Sequence, residues 1–108
     1  MNITIETGIS PEMLAKIRAL EPTLQQALGR AVDRVQVVWE PTTPKDPQRA
    51  RLTFTDHNVT RSEELTASDI DREFHIFFRI SRLWDDVLAE RSHQQAERVR
   101  ASLAAEGY

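Results

Sequence analysis

Apolar positions along this chain follow two periods, and the switches between them mark its elements. Ile3 and Ile5 alternate with Thr4 and Glu6, the pattern of a short strand ending at Thr7-Gly8. From Leu14 the period lengthens: Leu14, Ile17, Leu20, Leu24, Leu28 and Ala31 recur at spacings of three and four, a single helical stripe. Ser10-Pro11-Glu12 marks its start, with serine as N-cap, proline where a missing N–H removes no bond, and glutamate at the positive end of the dipole. Pro22 falls inside the stripe and predicts a kink or tight break near Glu21. Val35, Val37 and Trp39 then alternate with Gln36 and Glu40, and Leu52 and Phe54 with Arg51, Thr53 and Thr55, so two further strands with one buried face each are expected. Between them Pro41, Pro44 and Pro47 cannot donate to a ladder, which predicts an antiparallel hairpin with a long, stiff loop.

No glycine or proline occurs from Gln48 to Glu106, and from Thr66 the pattern reads as one helix. Such a helix of about 40 residues would span roughly 60 Å, against about 35 Å for a compact domain of this size, so it either breaks or projects. Thr66 and Asp69 are spaced as a capping box, Leu65 and Ile70 as its hydrophobic staple, and the helix is expected to begin at Ala67. Ile70, Phe74, Ile76, Phe77, Phe78, Ile80, Leu83, Trp84, Val87 and Leu88 cover an arc of roughly 220°, too wide for one surface. Packing on two sides is therefore expected, by the sheet on one and by the first helix or a second subunit on the other, with the phenylalanines read as core. Beyond Leu88 the arc narrows to a seam of Ala96, Val99 and Leu103, enough for helix pairing. The interface expected from this pattern is Trp84, Leu88, Val99 and Leu103. On the opposite face His75, Arg79, Arg82, Asp86, Glu90, His93 and Glu97 form a row read as solvated and held by pairs such as Arg82 with Asp86.

The order strand, helix, strand, strand, long helix predicts a two-layer α+β fold with about three strands and helices on one face. One domain spans residues 1–108, with residues 92–108 as a candidate projecting arm. With 40% apolar and 29% charged residues the composition is that of a globular chain. A net charge of -3, with no basic excess in either half, argues against a nucleic-acid binder. The absence of cysteine removes thiolate chemistry and disulfides. No basic start, signal-like apolar run or membrane-length stretch is present, so a cytoplasmic location is expected.

Catalytic signatures are sparse. Asp56 and His57 close the third strand in the most basic stretch of the chain, where residues 45–61 carry four basic and two acidic side chains. An Asp-His pair beside arginines suits acid-base cleavage of a phosphodiester, and the candidate residues are His57, Arg51 and Arg61. Adjacent strand residues point to opposite faces, however, so Asp56 orients His57 only where the strand bulges or ends. Glu90 and His93 form a Glu-x-x-His step of the kind found in carboxylate-bridged metal sites, which require a second copy from another helix pair. No glycine-rich phosphate loop is present, and no cofactor is expected. Ile3-Thr4-Ile5-Glu6, followed by leucine-rich periods through Val32, resembles the opening of small phage tail-assembly proteins, and that resemblance implies a structural assembly role. Taken together, the sequence predicts a small non-catalytic assembly module that docks a protein partner or a second copy through its long helix. A hydrolase- or nuclease-like enzyme on His57 is the alternative.

Overall fold

Local signals place most element boundaries in the computed structural model, which describes residues 1–107. Strand β1 (Asn2–Ile5) leads to Ser10, whose hydroxyl accepts a hydrogen bond from the Met13 N–H at 3.2 Å and caps helix α1 (Pro11–Ala19). Pro22 splits the leucine stripe as expected: α1 stops, Leu20 is the joint, and α2 (Glu21–Leu28) begins with the proline in its first turn. A short 3-10 turn over Gly29–Asp33 brings the chain into β2 (Gln36–Glu40), and the proline-rich loop leads to β3 (Arg49–Asp56).

The sheet has four strands where the sequence pattern predicts three. The additional strand is β4 (Val59–Thr66), joined to β3 by the two-residue turn His57-Asn58. Strand order follows the chain, β1-β2-β3-β4, with β1 parallel to β2 across the α1–α2 crossover and the other pairs antiparallel. Val37, Trp39, Ala50, Leu52, Phe54, Val59 and Leu65 turn one face inward against Met13, Ile17, Leu24 and Leu28 from α1 and α2 and Ile76, Ile80 and Val87 from the last helix. The other face is polar: Thr53 meets Ser62 and Thr55 meets Thr60 hydroxyl to hydroxyl, and Arg51 lies between Glu40 and Glu64. The fold is therefore two-layer α+β with its helices on one face.

The predicted continuous helix breaks at its first turns. The Thr66 capping box forms in full, with the Asp69 N–H donating to the Thr66 hydroxyl and the Asp69 carboxylate accepting from the Thr66 N–H at 2.9 Å. Leu65 and Ile70 are both buried beside it. The Thr66 N–H is the main reason the Asp69 carboxyl is lowered to a pKa of about 2; the Thr66 hydroxyl, His75 and the Arg79 charge add to this against the opposing effect of burial. Helix α3 (Ala67–Asp71) then ends at Arg72, whose backbone is extended, and α4 (Glu73–Ala105) starts in a new direction. At 33 residues α4 is about 50 Å long, which accounts for the molecule's 58 × 28 × 21 Å dimensions. Its last buried residue is Val87, and every residue from Glu97 to Gly107 is exposed.

Three assignments on α4 change. Trp84 is a core residue at 7% exposure, its ring edge-on to Phe54 at 6.4 Å and beneath the Arg34 guanidinium. Sheet and α2 cover the two sides of the buried arc. Phe74 and Phe78, read as core, are instead 80% and 67% exposed. The row from His75 to Glu97 is not wholly solvated, because Arg79 pairs with Glu63 and Glu90 with Arg61 on β4, while His75 bonds Asp69 at 3.0 Å.

Candidate functional site

Two features of α4 lie outside its apolar contacts with the core: a polar cleft at the base of its free end and a line of exposed apolar side chains. The cleft begins at the β3–β4 turn. Inward positions of β3 alternate Ala50, Leu52, Phe54 and Asp56, so the strand's last inward residue is a carboxylate, 2% exposed. It is neutralised from two distant parts of the chain. Arg34, just after the 3-10 turn, donates Nε at 3.2 Å to Oδ1, and Arg91 on α4 donates Nη1 at 2.9 Å to Oδ2. Charge-assisted bonds of this kind offset the desolvation of a buried carboxylate.

His57 follows with a φ of 54°, the left-handed conformation that two-residue hairpin turns require at their first position. Its ring is 62% exposed, and Nε2 lies 3.8 Å from Asp56 Oδ1, beyond hydrogen-bonding distance. Asp56 therefore does not orient His57. The other two residues of the hydrolytic reading are engaged elsewhere: Arg51 lies on the opposite face of β3, paired with Glu64 at 3.3 Å and Glu40 at 3.7 Å, and Arg61 pairs with Glu90 at 3.3 Å. Glu90 and His93 are likewise separate, Glu90 held by Arg61 and His93 lying 3.9 Å from Glu97. Among the described residues no group of three or more His, Cys, Asp or Glu is placed to hold a metal ion.

What the structure does gather at the turn is a cleft of about 440 Å³ lined by His57, Asn58, Arg91, Gln94, Gln95 and Arg98. The four α4 residues recur at helical spacing along one face. Only His57 of these six was a candidate from sequence. The recurrence of Arg91, Gln94, Gln95 and Arg98 was the available signal, but their face gains meaning only when the turn packs beside it.

The second feature is apolar. All the exposed large hydrophobic residues among those described, Phe74, Phe78, Leu88, Val99 and Leu103, belong to α4. On a helical wheel they fall within an arc of about 80°, with Ser81, Asp85 and Ser92 between them. Of the four interface residues predicted from sequence, Leu88, Val99 and Leu103 lie on this line and Trp84 does not. Phe74 and Phe78 extend it to the start of the helix, where Phe77 packs edge-on to Phe78 at 6.1 Å. Beside them Thr23 and Gln26 of α2 complete a shallow hollow of about 310 Å³.

Comparison of the chain with protein-family models, curated proteins and solved structures found no match. Among the described residues no helix is long and apolar enough to cross a membrane.

Proposed function

We propose that this chain is a non-catalytic assembly module that self-associates by antiparallel pairing of α4 with α4 of a second copy. The observation that carries this reading is the confinement of every exposed large hydrophobic residue among those described to one line on one helix. Their exposed surface is on the order of 500 Å², at the upper end of what a monomer ordinarily leaves uncovered. With the small and polar residues between them the line approaches the ~800 Å² per partner of a stable interface.

The layout of the line favours a second copy in antiparallel orientation. Phe74 and Phe78 are separated by four residues, as are Val99 and Leu103. A single register therefore sets Phe74 against the partner's Leu103 and Phe78 against the partner's Val99, with the two-fold axis between Leu88 and Ala89. Large rings at one end of the helix meet smaller aliphatics from the other, as close packing requires. Asp85 faces the partner's Ser92 in this register, whereas a parallel in-register pair would set Asp85 against its own counterpart, a like-charge contact. Antiparallel helix dipoles also attract. The free end of each α4 then lies over the Phe74–Phe78 region of the other copy.

Light scattering at micromolar concentration tests the proposal. The expected mass is twice the 12.4 kDa of the chain. Phe74→Ser with Phe78→Ser should give a monomer of unchanged circular dichroism, since neither ring contributes to the core. A wild-type monomer at all concentrations into the millimolar range, or a dimer that survives both substitutions, would refute it.

A further inference from the structure

We infer that the cleft between the β3–β4 turn and the base of the α4 arm binds a phosphorylated small molecule, with Arg91 and Arg98 as its phosphate contacts. The charge balance of the cleft differs from that of the chain. The protein carries 17 acidic against 14 basic residues, yet no carboxylate lines this cleft. Two arginines, Arg91 and Arg98, line it, and the one carboxylate that Arg91 meets, Asp56, is shared with Arg34, so the local balance is positive before His57 is counted.

The two arginines of the wall are prepared differently. Arg91 spends one terminal nitrogen on the buried Asp56, and that bond restrains its guanidinium while the side chain, one-third exposed, still lines the cleft. A guanidinium already held in place loses less entropy when it takes up a second anion. Arg98, two helical turns on, is exposed and makes no ion pair among the described residues. Its nearest basic neighbour in sequence, Arg100, is by contrast bonded to Glu97 at 2.8 Å. Two turns are about 10 Å along the axis, a span suited to a ligand with more than one anionic oxygen cluster, such as a diphosphate.

The rest of the lining is neutral and bonds in both directions. Asn58, Gln94 and Gln95 offer amide donors and acceptors, and His57 presents an exposed ring. A cleft of about 440 Å³ falls in the range of small-molecule sites, which run from about 300 to 1,000 Å³. Guanidinium forks accept carboxylate and phosphate alike, and what favours phosphate here is its larger charge and its additional oxygens, which the amide donors of the wall can meet while the arginines hold the others. The cleft occupies a different face of α4 from the apolar line, so ligand binding and self-association are separable.

Titration with inorganic pyrophosphate, followed by chemical-shift changes of the arginine side-chain N–H signals, provides the test. Saturable shifts of Arg91 and Arg98 are expected at roughly 0.1–1 mM, with succinate at least tenfold weaker. Arg98→Gln should weaken binding at least tenfold with no change in thermal midpoint, because its side chain supports nothing else. Phe74→Ser with Phe78→Ser should bind as the wild type does, which keeps this result apart from that of the dimer experiment. Unsaturable shifts, equal binding of succinate, or undiminished binding by Arg98→Gln would each overturn the inference.

Discussion

Removing Arg34 and Arg91 together should destabilise the protein by more than the two single losses combined, because only the pair of removals strands Asp56. Methionine is the replacement of choice, since it retains the apolar stem and deletes only the charged head. Arg34→Met breaks a 3.2 Å bond from a side chain that is half exposed, and Arg91→Met breaks one of 2.9 Å. A hydrogen bond to a charged group contributes about 1.5–3 kcal/mol, and with the other cation still present each single loss should lie near the lower end. The double variant leaves a carboxylate with 2% exposure and no counter-charge, a change that costs about 3–5 kcal/mol. With the single losses summing to about 3 kcal/mol, the excess over additivity reaches about 2 kcal/mol. Adding Asp56→Asn to the double variant should restore about 2 kcal/mol, because the stranded charge disappears while the side-chain shape stays. Urea unfolding followed by the fluorescence of the buried Trp39 and Trp84 reads these differences directly. The series belongs in the Phe74→Ser, Phe78→Ser background, so that protomer concentration does not enter the apparent stability. Additive losses, or no recovery with Asp56→Asn, would refute the account of Asp56 as a buried charge held by two arginines.

Two other predictions concern the core and its caps. The Asp69 carboxyl is lowered from 3.8 to about 2, so its contribution of about 2 kcal/mol is present in full above about pH 4 and is lost as pH falls toward 2; Asp69→Asn should flatten acid unfolding in that window, and an unchanged slope would count against the capping box as its source. Trp39 is fully buried and its indole N–H has no hydrogen-bond partner among the described residues, so Trp39→Phe, which removes a donor costing about 1–3 kcal/mol, should change stability by less than about 1 kcal/mol in urea unfolding; a loss above 2 kcal/mol would show the N–H to be satisfied.

Legibility of the fold in the sequence depended on how local its causes are. Ser10, Pro22 and the Thr66–Asp69 box act within four residues, and each boundary they predicted is present. Strand β4 leaves no apolar alternation in the sequence because two of its four inward positions are Arg61 and Glu63. Those charges are tolerated inside only because α4 answers them with Glu90 and Arg79. The break at Arg72 carries no glycine or proline to announce it. The apolar arc of roughly 220° is too wide for one surface, but periodicity does not distinguish a buried ring from an exposed one, so the pattern alone places Phe74 and Phe78 in the core and Trp84 at the interface. At the cleft, His57 and Asp56 stand out in sequence, whereas the arginines that meet Asp56 lie 22 and 35 residues away and become partners only through the fold.

Helix α4 is continuous in geometry but not in stability. Up to Val87 its backbone opens only when the core does, whereas the 18 residues from Leu88 to Ala105 bury no side chain fully. A free peptide of that length is a marginal helix in water, chiefly because its first turn is costly to nucleate. Here that turn is already built, and Arg91 ties the next one to Asp56. In a single protomer the segment is thus helical by extension of its neighbour, with opening free energies that fall from near the global value at Val87 toward zero at the tip. One element joins the most and the least stable parts of the molecule, with the buried carboxylate of Asp56 at the boundary.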